Sequence, residues 1–486
     1  MEHVLRQCLI ALRIAERLGL DEQERAVVYY TALLINVACH SDAHEQAKWF
    51  GDDIKMKSQK YTTEFGTVRA ALSGLGLIGA GNPPLHRFRI GLEFVLWGHR
   101  DVDNMIASHA ALAQDLAKRL GLQENTVRAI GAAYEHWDGS GWPGKLVGAA
   151  IPLASRIASL AEFVEVAHRS RGLTGAVEVA RGRSARQFDP KVAATLVDNA
   201  TEILDDLDGV RAWSGVIQSE PSLAVMLDAD AFDAALLAVA DFVDLKSPYT
   251  LGHSGAVAAL AEAAATALGL EPQTLRRAGL LHDLGRLGVS NSILDKHGPL
   301  GMGELERIRM QPYFTDRMLK QSTALAPYAD IVVQHRERLD GSGYPRALAG
   351  AAISVPGRVL AAADAYQAMR EPRPHRPAHS AEQAEALLRG EVRSGRFDRD
   401  AVEAVLAAAG HRVGRRREGP AGLTGREVEV LQLLARGLST KQIAGRLFVS
   451  PKTAGNHIEH IYSKIGVTNR VGASLFAVQH GLLPET

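Results

Sequence analysis

The chain has 486 residues, with 55 Lys and Arg balanced by 55 Asp and Glu. At about 150 residues per domain it holds roughly three units, and a net charge of zero gives no global attraction to nucleic acid or membrane. Only Cys8 and Cys39 occur, which excludes a disulfide framework or a four-cysteine zinc site, and with no basic leader and no run of about 18 apolar residues free of charge, a soluble cytoplasmic protein without membrane association is expected.

The first elements repeat their apolar residues at helical spacing, as in Val4, Leu5, Cys8, Leu9, Leu12, Ala15 and Leu18. The same period returns in Val257, Leu260, Ala261, Ala264, Ala265 and Leu268, so an all-α protein is expected. A polar stretch at Asp205 to Asp208 and the Glu220-Pro221 pair mark a linker over 206–230, dividing a first half (1–205) from a second (231–410). Charge, glycine and proline mix in GRRREGPAG, which predicts a second linker over 411–422 ahead of a terminal domain at 423–486.

The two halves repeat each other. Asp138-Gly139-Ser140-Gly141-Trp142-Pro143 matches Asp340-Gly341-Ser342-Gly343-Tyr344-Pro345, and at equal intervals beyond each Asp stand Ile151 or Ile353 and Arg156 or Arg358. This register sets Glu162 opposite Asp364 and His109 opposite Gln311. The glycines of both loops permit a tight turn, which serves either as structure or as a loop approached by a nucleotide.

Three helix starts are visible in the terminal segment. Thr424 caps a helix carrying Val428, Val430, Leu431, Leu433 and Leu434 and ended by Gly437; Ser439 caps a short second helix; Ser450 caps a third, with Pro451 in its first turn and Ile458, Ile461 and Ile465 on its inner face. Two helices joined by a short turn form a helix-turn-helix unit, whose second helix enters the major groove of duplex DNA. From Arg412 to Thr486 eleven basic residues face five acidic ones, which concentrates here the positive charge that phosphate binding needs. A helical docking or oligomerisation domain is the alternative use of such a segment.

The LTGREVEVL opening, the SPKT helix start and the closing KIGV resemble the LuxR-type bacterial transcriptional regulators over the whole segment. By that resemblance Lys452 and Thr453 meet the DNA backbone, and Gly455, Asn456 and Glu459 face base edges, where Asn456 suits adenine and Glu459 suits the cytosine amino group, with Lys464 a further DNA-binding candidate. Gly455 and Glu459 replace the basic residues common in that family. His457 is expected to pack within the domain.

In the second half, LLHDLGRLGV, NSILDKHGPL and RLDGSGYP resemble the HD-GYP branch of the HD-domain phosphohydrolases, which cleave cyclic di-GMP at a paired metal centre. The resemblance implies first-metal ligands at His253, His282, Asp283 and Asp364, a set that suits one divalent manganese, iron or zinc ion. Asp283 and Arg286, the latter in place of the family lysine, are the candidates for a catalytic role. At the second metal the family has histidines where this chain has Gln311 and Arg336, which leaves His335 as the remaining possible ligand. A neutral amide and a permanent cation are poor substitutes for two imidazoles, so weak or absent hydrolysis is expected.

The first half resembles the same family without its chemistry: Ile35-Asn36 replaces His-Asp, Ala133 and Tyr134 replace the paired histidines, and Glu162 replaces the last Asp. His40, His44 and His109 are expected to be polar or packing residues, and this half to supply a dimerisation or sensing surface. The expected protein is a homodimeric regulator that binds double-stranded DNA and senses a metal, a cyclic dinucleotide or another nucleotide. A metal-dependent cyclic di-GMP phosphodiesterase with a DNA-binding tail is the alternative.

Overall fold

A computed structural model describes residues 2–37, 99–207, 212–221, 227–412, 420–447 and 449–483. Cys39, His40 and His44 lie outside these residues. Among those described there are helices and a few isolated bridges but no sheet. The chain forms two compact units, Met1–Ala409 and Gly410–Thr486.

In the first unit, helix Glu2–Arg17 packs on Glu22–Leu34 and on the long helix Leu153–Gly182. Its apolar stripe supplies the buried Cys8, Ile10, Leu12 and Ile14, which meet Val28, Ile157, Leu160 and Val164. The helical spacing of the opening residues is thus used to build a core. Within Leu153–Gly182 the helix breaks at Gly172, where φ is 65° and ψ −163°. At the corresponding place the second half has a loop, between helices Val355–Arg370 and Ala381–Arg393.

Two findings go beyond the sequence reading. The segment expected to be a linker includes a helix, Ala212–Gln218, whose Val216 is buried in the first half's core, while the Val216 carbonyl accepts a 3.1 Å bond from the Tyr29 hydroxyl. A short helix containing Ser214 and Gly215 has weak intrinsic propensity, and tertiary packing decides it. Second, helix His99–Arg119 packs against the second half's helix Ala229–Asp244, burying Ala113, Leu116 and Ala117 with Ala238 and Phe242. The ion pair Arg119–Asp241, at 2.6 Å, borders that contact.

The repeat holds at atomic detail. In both loops the aspartate accepts from the serine backbone N–H at 2.9 Å and from its hydroxyl at 2.6 Å. The glycine after each aspartate has φ near +80°, a conformation that disfavours a side chain. A buried glutamate closes each loop: Glu135 accepts from the backbone of Gly144 and Lys145, and Glu337 from that of Arg346 and Leu348. Arg156 and Arg358 likewise share a role, pairing with Asp189 and Asp398, the cap residues of helices Pro190–Asp198 and Arg399–Ala408.

The C-terminal unit has helices Gly425–Ala435, Thr440–Arg446, Pro451–Ile465 and Arg470–Gln479. Thr424 and Ser439 form reciprocal capping boxes with Glu427 and Gln442, and the Ser450 hydroxyl accepts from the Thr453 N–H at 3.0 Å. Leu423, Val430, Leu431, Ile443, Ala454 and Ile461 are fully buried in its core, with Ile458 and Ile465 packed at the edge. This is the inner face expected from the sequence.

Candidate metal centre and DNA-reading helix

Helices His253–Ala267 and Pro272–Leu281 cross closely, because Gly279 lies where a Cβ would come 2.5 Å from the Ala258 Cα. That approach brings His253, at the start of one helix, to His282-Asp283, at the end of the other. Helix Val355–Arg370 adds Asp364 from its buried side. The turn after Asp283 is pressed against helix Gln311–Leu319: a Cβ on Gly285 would fall 1.9 Å from the Gln311 carbonyl, and the Gly285 N–H donates to the Thr315 hydroxyl at 2.9 Å.

Donor atoms of His253, His282 and Asp283 lie within 4.8 Å of one another. The Asp364 carboxylate is 3.3 Å from His253 Nε2 and 3.7 Å from His282 Nε2. The outer ring nitrogens are held by acceptors: His253 Nδ1 by Glu371 at 2.9 Å, His282 Nδ1 by the Gly279 carbonyl at 2.7 Å and His335 Nδ1 by the Val332 carbonyl at 2.6 Å. Those bonds place a proton on each Nδ1 and leave Nε2 to face the cluster, the orientation that ligand histidines need. His253 Nε2, His282 Nε2 and all four oxygens of Asp283 and Asp364 are buried without a well-aligned hydrogen bond. Arg286 and Arg336 approach the two carboxylates from one side, while the two imidazole nitrogens and the carboxylate oxygens nearest them face one another, a buried nitrogen and oxygen donor set that fits a divalent metal ion.

Charge in the site is strongly coupled. Burial opposes protonation of His282, but the Asp283 and Asp364 carboxylates outweigh it and raise its pKa to about 10. Burial pushes the two carboxyls up, yet cationic neighbours hold them well below the usual range: chiefly Arg286 for Asp283 and Arg336 for Asp364. His335 is lowered to about 3 by burial and by the Arg336 charge, so it stays neutral. Its ring meets that of His282 edge-on, with centroids 5.1 Å apart.

At the second-metal positions, Gln311 is buried, and Arg336 extends Nη1 to 3.0 Å from Asp364 and Nη2 to 3.9 Å from Asp283. Arg286 is buried against Asp283. Sequence reasoning missed Glu371, which orients His253, and Arg373, which pairs with Glu371 at 3.0 Å. The available signal was spacing: Glu371 stands seven residues, two helical turns, beyond Asp364.

The corresponding place in the first half is filled by protein. Glu165, one turn beyond Glu162, pairs with His3 and accepts from Arg6 Nε at 2.7 Å. Asn36 donates to Gln7 at 3.4 Å, and the Tyr134 hydroxyl donates to the Ile35 carbonyl at 3.2 Å. His109 is buried on helix His99–Arg119.

On helix Pro451–Ile465, Lys452, Thr453, Asn456 and Glu459 are exposed, Gly455 and His457 are half-buried, and Ala454 and Ile461 face the core. The helix therefore presents the expected residues outward. Lys464 differs, because its ammonium is tied to Glu427 at 2.8 Å and extends to the Gly422 carbonyl at 3.4 Å.

Comparison with known proteins matches the HD domain family over residues 100–192 and 238–401, and the family of bacterial regulatory proteins, luxR family, over 421–477. A 3'3'-cGAMP-specific phosphodiesterase of Vibrio cholerae is 32% identical over 396 residues, covering 80% of this chain and 86% of that protein. A cyclic di-GMP phosphodiesterase of Pseudomonas aeruginosa is 39% identical over 168 residues, 33% of this chain and 40% of that one. Among solved structures, that of a cyclic GMP-AMP-specific phosphodiesterase of V. cholerae superposes with a TM-score of 0.57 at 28% identity, covering 85% of this chain and 93% of that one.

Proposed function

Because this chain belongs to the HD-domain family and ends in a regulatory domain of the luxR family, we propose that it is a DNA-binding transcriptional regulator whose second HD half senses a cyclic dinucleotide at a single-metal site. The observation that carries this reading is the Arg336 guanidinium, 3.0 Å from Asp364, where the resemblance calls for a second-metal ligand. His253, His282, Asp283 and Asp364 would hold one divalent ion, of manganese, iron or zinc. When bound, such an ion supplies Lewis-acid polarisation of a phosphoryl oxygen. Glu371 and the Gly279 carbonyl keep the ligand imidazoles turned toward it. The relatives' substrates, 3'3'-cGAMP and cyclic di-GMP, define the ligand class. Binding there shifts the DNA-binding unit by favouring one of two conformations.

Hydrolysis of the same ligands is the second reading, favoured by the intact first ligand set. Among the described residues no helix is long and apolar enough to cross a membrane, and a DNA-binding role places the protein in the cytoplasm.

The DNA assignment is tested on the full chain. Lys452→Ala is expected to weaken binding to all duplex sequences alike and to lower the log–log salt slope by about one, as loss of one phosphate contact requires. Unchanged affinity and slope remove Lys452 from the interface. Asn456→Ala should instead act at one base position, costing about 1–3 kcal/mol of discrimination there.

A homodimer is part of the proposal, and helix Arg470–Gln479 supports it. Val471, Leu475 and Val478 share one face of that helix and are 78%, 57% and 61% exposed, more apolar surface than an isolated surface helix would carry. Leu475→Asp is expected to shift sedimentation toward monomer and weaken binding to a two-half-site operator, leaving the fold intact because that side chain is outside the core. A wild-type monomer on DNA would overturn the dimer.

A further inference from the structure

We propose that Arg286 and Arg336 form a guanidinium clamp that grips a phosphodiester group of the ligand directly, in place of a second metal ion. This deepens the cyclic-dinucleotide reading given above and rests on it.

Both arginines converge on one carboxylate. Arg286 Nη2 contacts Asp283, and Arg336 Nη2 stands 3.9 Å from the other Asp283 oxygen while its Nη1 holds Asp364 at 3.0 Å. Each guanidinium thus uses part of its donor fork to hold a ligand carboxylate, and each has donor capacity left over. Arg286, whose side chain is only 8% exposed, has its Nη1 buried with no hydrogen-bond acceptor, and Arg336 has its Nε in the same condition. The two terminal nitrogens of a guanidinium are rigidly fixed to each other, so the unsatisfied Arg286 donor lies within a few ångströms of Asp283 and of the metal-facing atoms. A buried N–H without an acceptor is costly, and more so on a charged group. An anion is what such donors accept, and phosphate geometry matches the planar fork.

Local charge agrees. Once His282 has released its proton to ligate a metal, the three negative charges of Asp283, Asp364 and Glu371 are balanced by Arg286, Arg336 and Arg373. A divalent cation added to this balanced set gives the site an excess of two positive charges, which attracts an anion. Without the cation, the two arginines still present directional donors. The clamp therefore separates binding from metal content, whereas a second ion would tie them together.

The test measures binding of fluorescent cyclic di-GMP to full-length protein, with manganese and after exhaustive chelation, in wild type, Arg336→Gln, Arg336→Lys and Arg286→Gln. The clamp predicts that chelated wild type loses less than about tenfold in affinity. It also predicts that Arg336→Gln and Arg286→Gln each lose about tenfold or more in both states, the loss of a hydrogen bond to a charged group. Arg336→Lys, which keeps charge without the fork, should fall between wild type and Arg336→Gln, so the effect does not depend on Arg336→Gln folding perfectly. Binding with manganese that disappears on chelation, or glutamine variants that bind like wild type, would overturn the clamp while leaving the sensor reading intact. No binding by wild type in either state overturns both.

Discussion

One manganese ion per chain is expected in protein loaded and then dialysed, and none in the His282→Ala, Asp283→Ala double variant. The ligand atoms come from three helices, and six of them are buried without aligned partners, so removing two side chains destroys the set rather than trimming it. The first half is expected to add no ion to this count, because among its described residues the counterpart position holds the His3 and Arg6 contacts to Glu165. Elemental analysis reads the stoichiometry, and two ions per chain, or one retained in the double variant, would contradict the assignment. Uptake should also depend steeply on pH. With a pKa raised to about 10, His282 is protonated across the neutral range in metal-free protein and must release that proton to ligate. Apparent affinity is therefore expected to rise about tenfold per pH unit from neutrality and to flatten near pH 10. A pH-independent affinity between 7 and 9 would show that no such proton is displaced.

The cluster of His253, His282 and Asp283 was legible because the resemblance rests on short motifs whose spacing survives in the chain. His282-Asp283 and Asp364 sit inside such strings. What surrounds them was not legible. Glu371 becomes an orienting residue only because helix Val355–Arg370 ends beside His253, 118 residues earlier in the chain, a contact created by helix crossing. The Glu165 cluster in the first half joins residues 162 apart, and no local pattern reports it. Lys464 adds a contact the sequence did not report: the capping box places Glu427 beneath it, which gives the ammonium a partner within the domain. Helix periodicity gave the cores, since apolar stripes must be buried wherever the helices pack; the linker helix Ala212–Gln218 escaped because its sequence is short and contains Ser214 and Gly215.

Cyclic di-GMP turnover by wild-type protein is expected to be near background, and the Gln311→His, Arg336→His double variant is expected to bind a second ion and turn over about 100-fold faster or more. The argument is electrostatic. Charge that develops on a phosphodiester in its transition state needs stabilisers already in place, and losing one such stabiliser typically costs a factor of about 10² to 10³. Gln311 offers a neutral amide, on a helix whose backbone is packed directly against Gly285 in the turn that follows Asp283. Arg336 supplies donors that hold the bound phosphodiester, but with Nη1 3.0 Å from Asp364 its guanidinium stands in the position a second ion would take, and it cannot activate a nucleophile as an ion does. Converting both residues to histidine removes the blocking cation and supplies imidazoles at the two positions where the resemblance calls for them, one of them next to His335, which burial and the present Arg336 charge hold neutral. Metal content and hydrolysis are measured on the same samples. Brisk wild-type turnover with two bound ions would overturn the argument and favour the phosphodiesterase reading. A double variant that gains the second ion but no rate would place the defect at Arg286, which replaces the lysine of related enzymes and contacts Asp283.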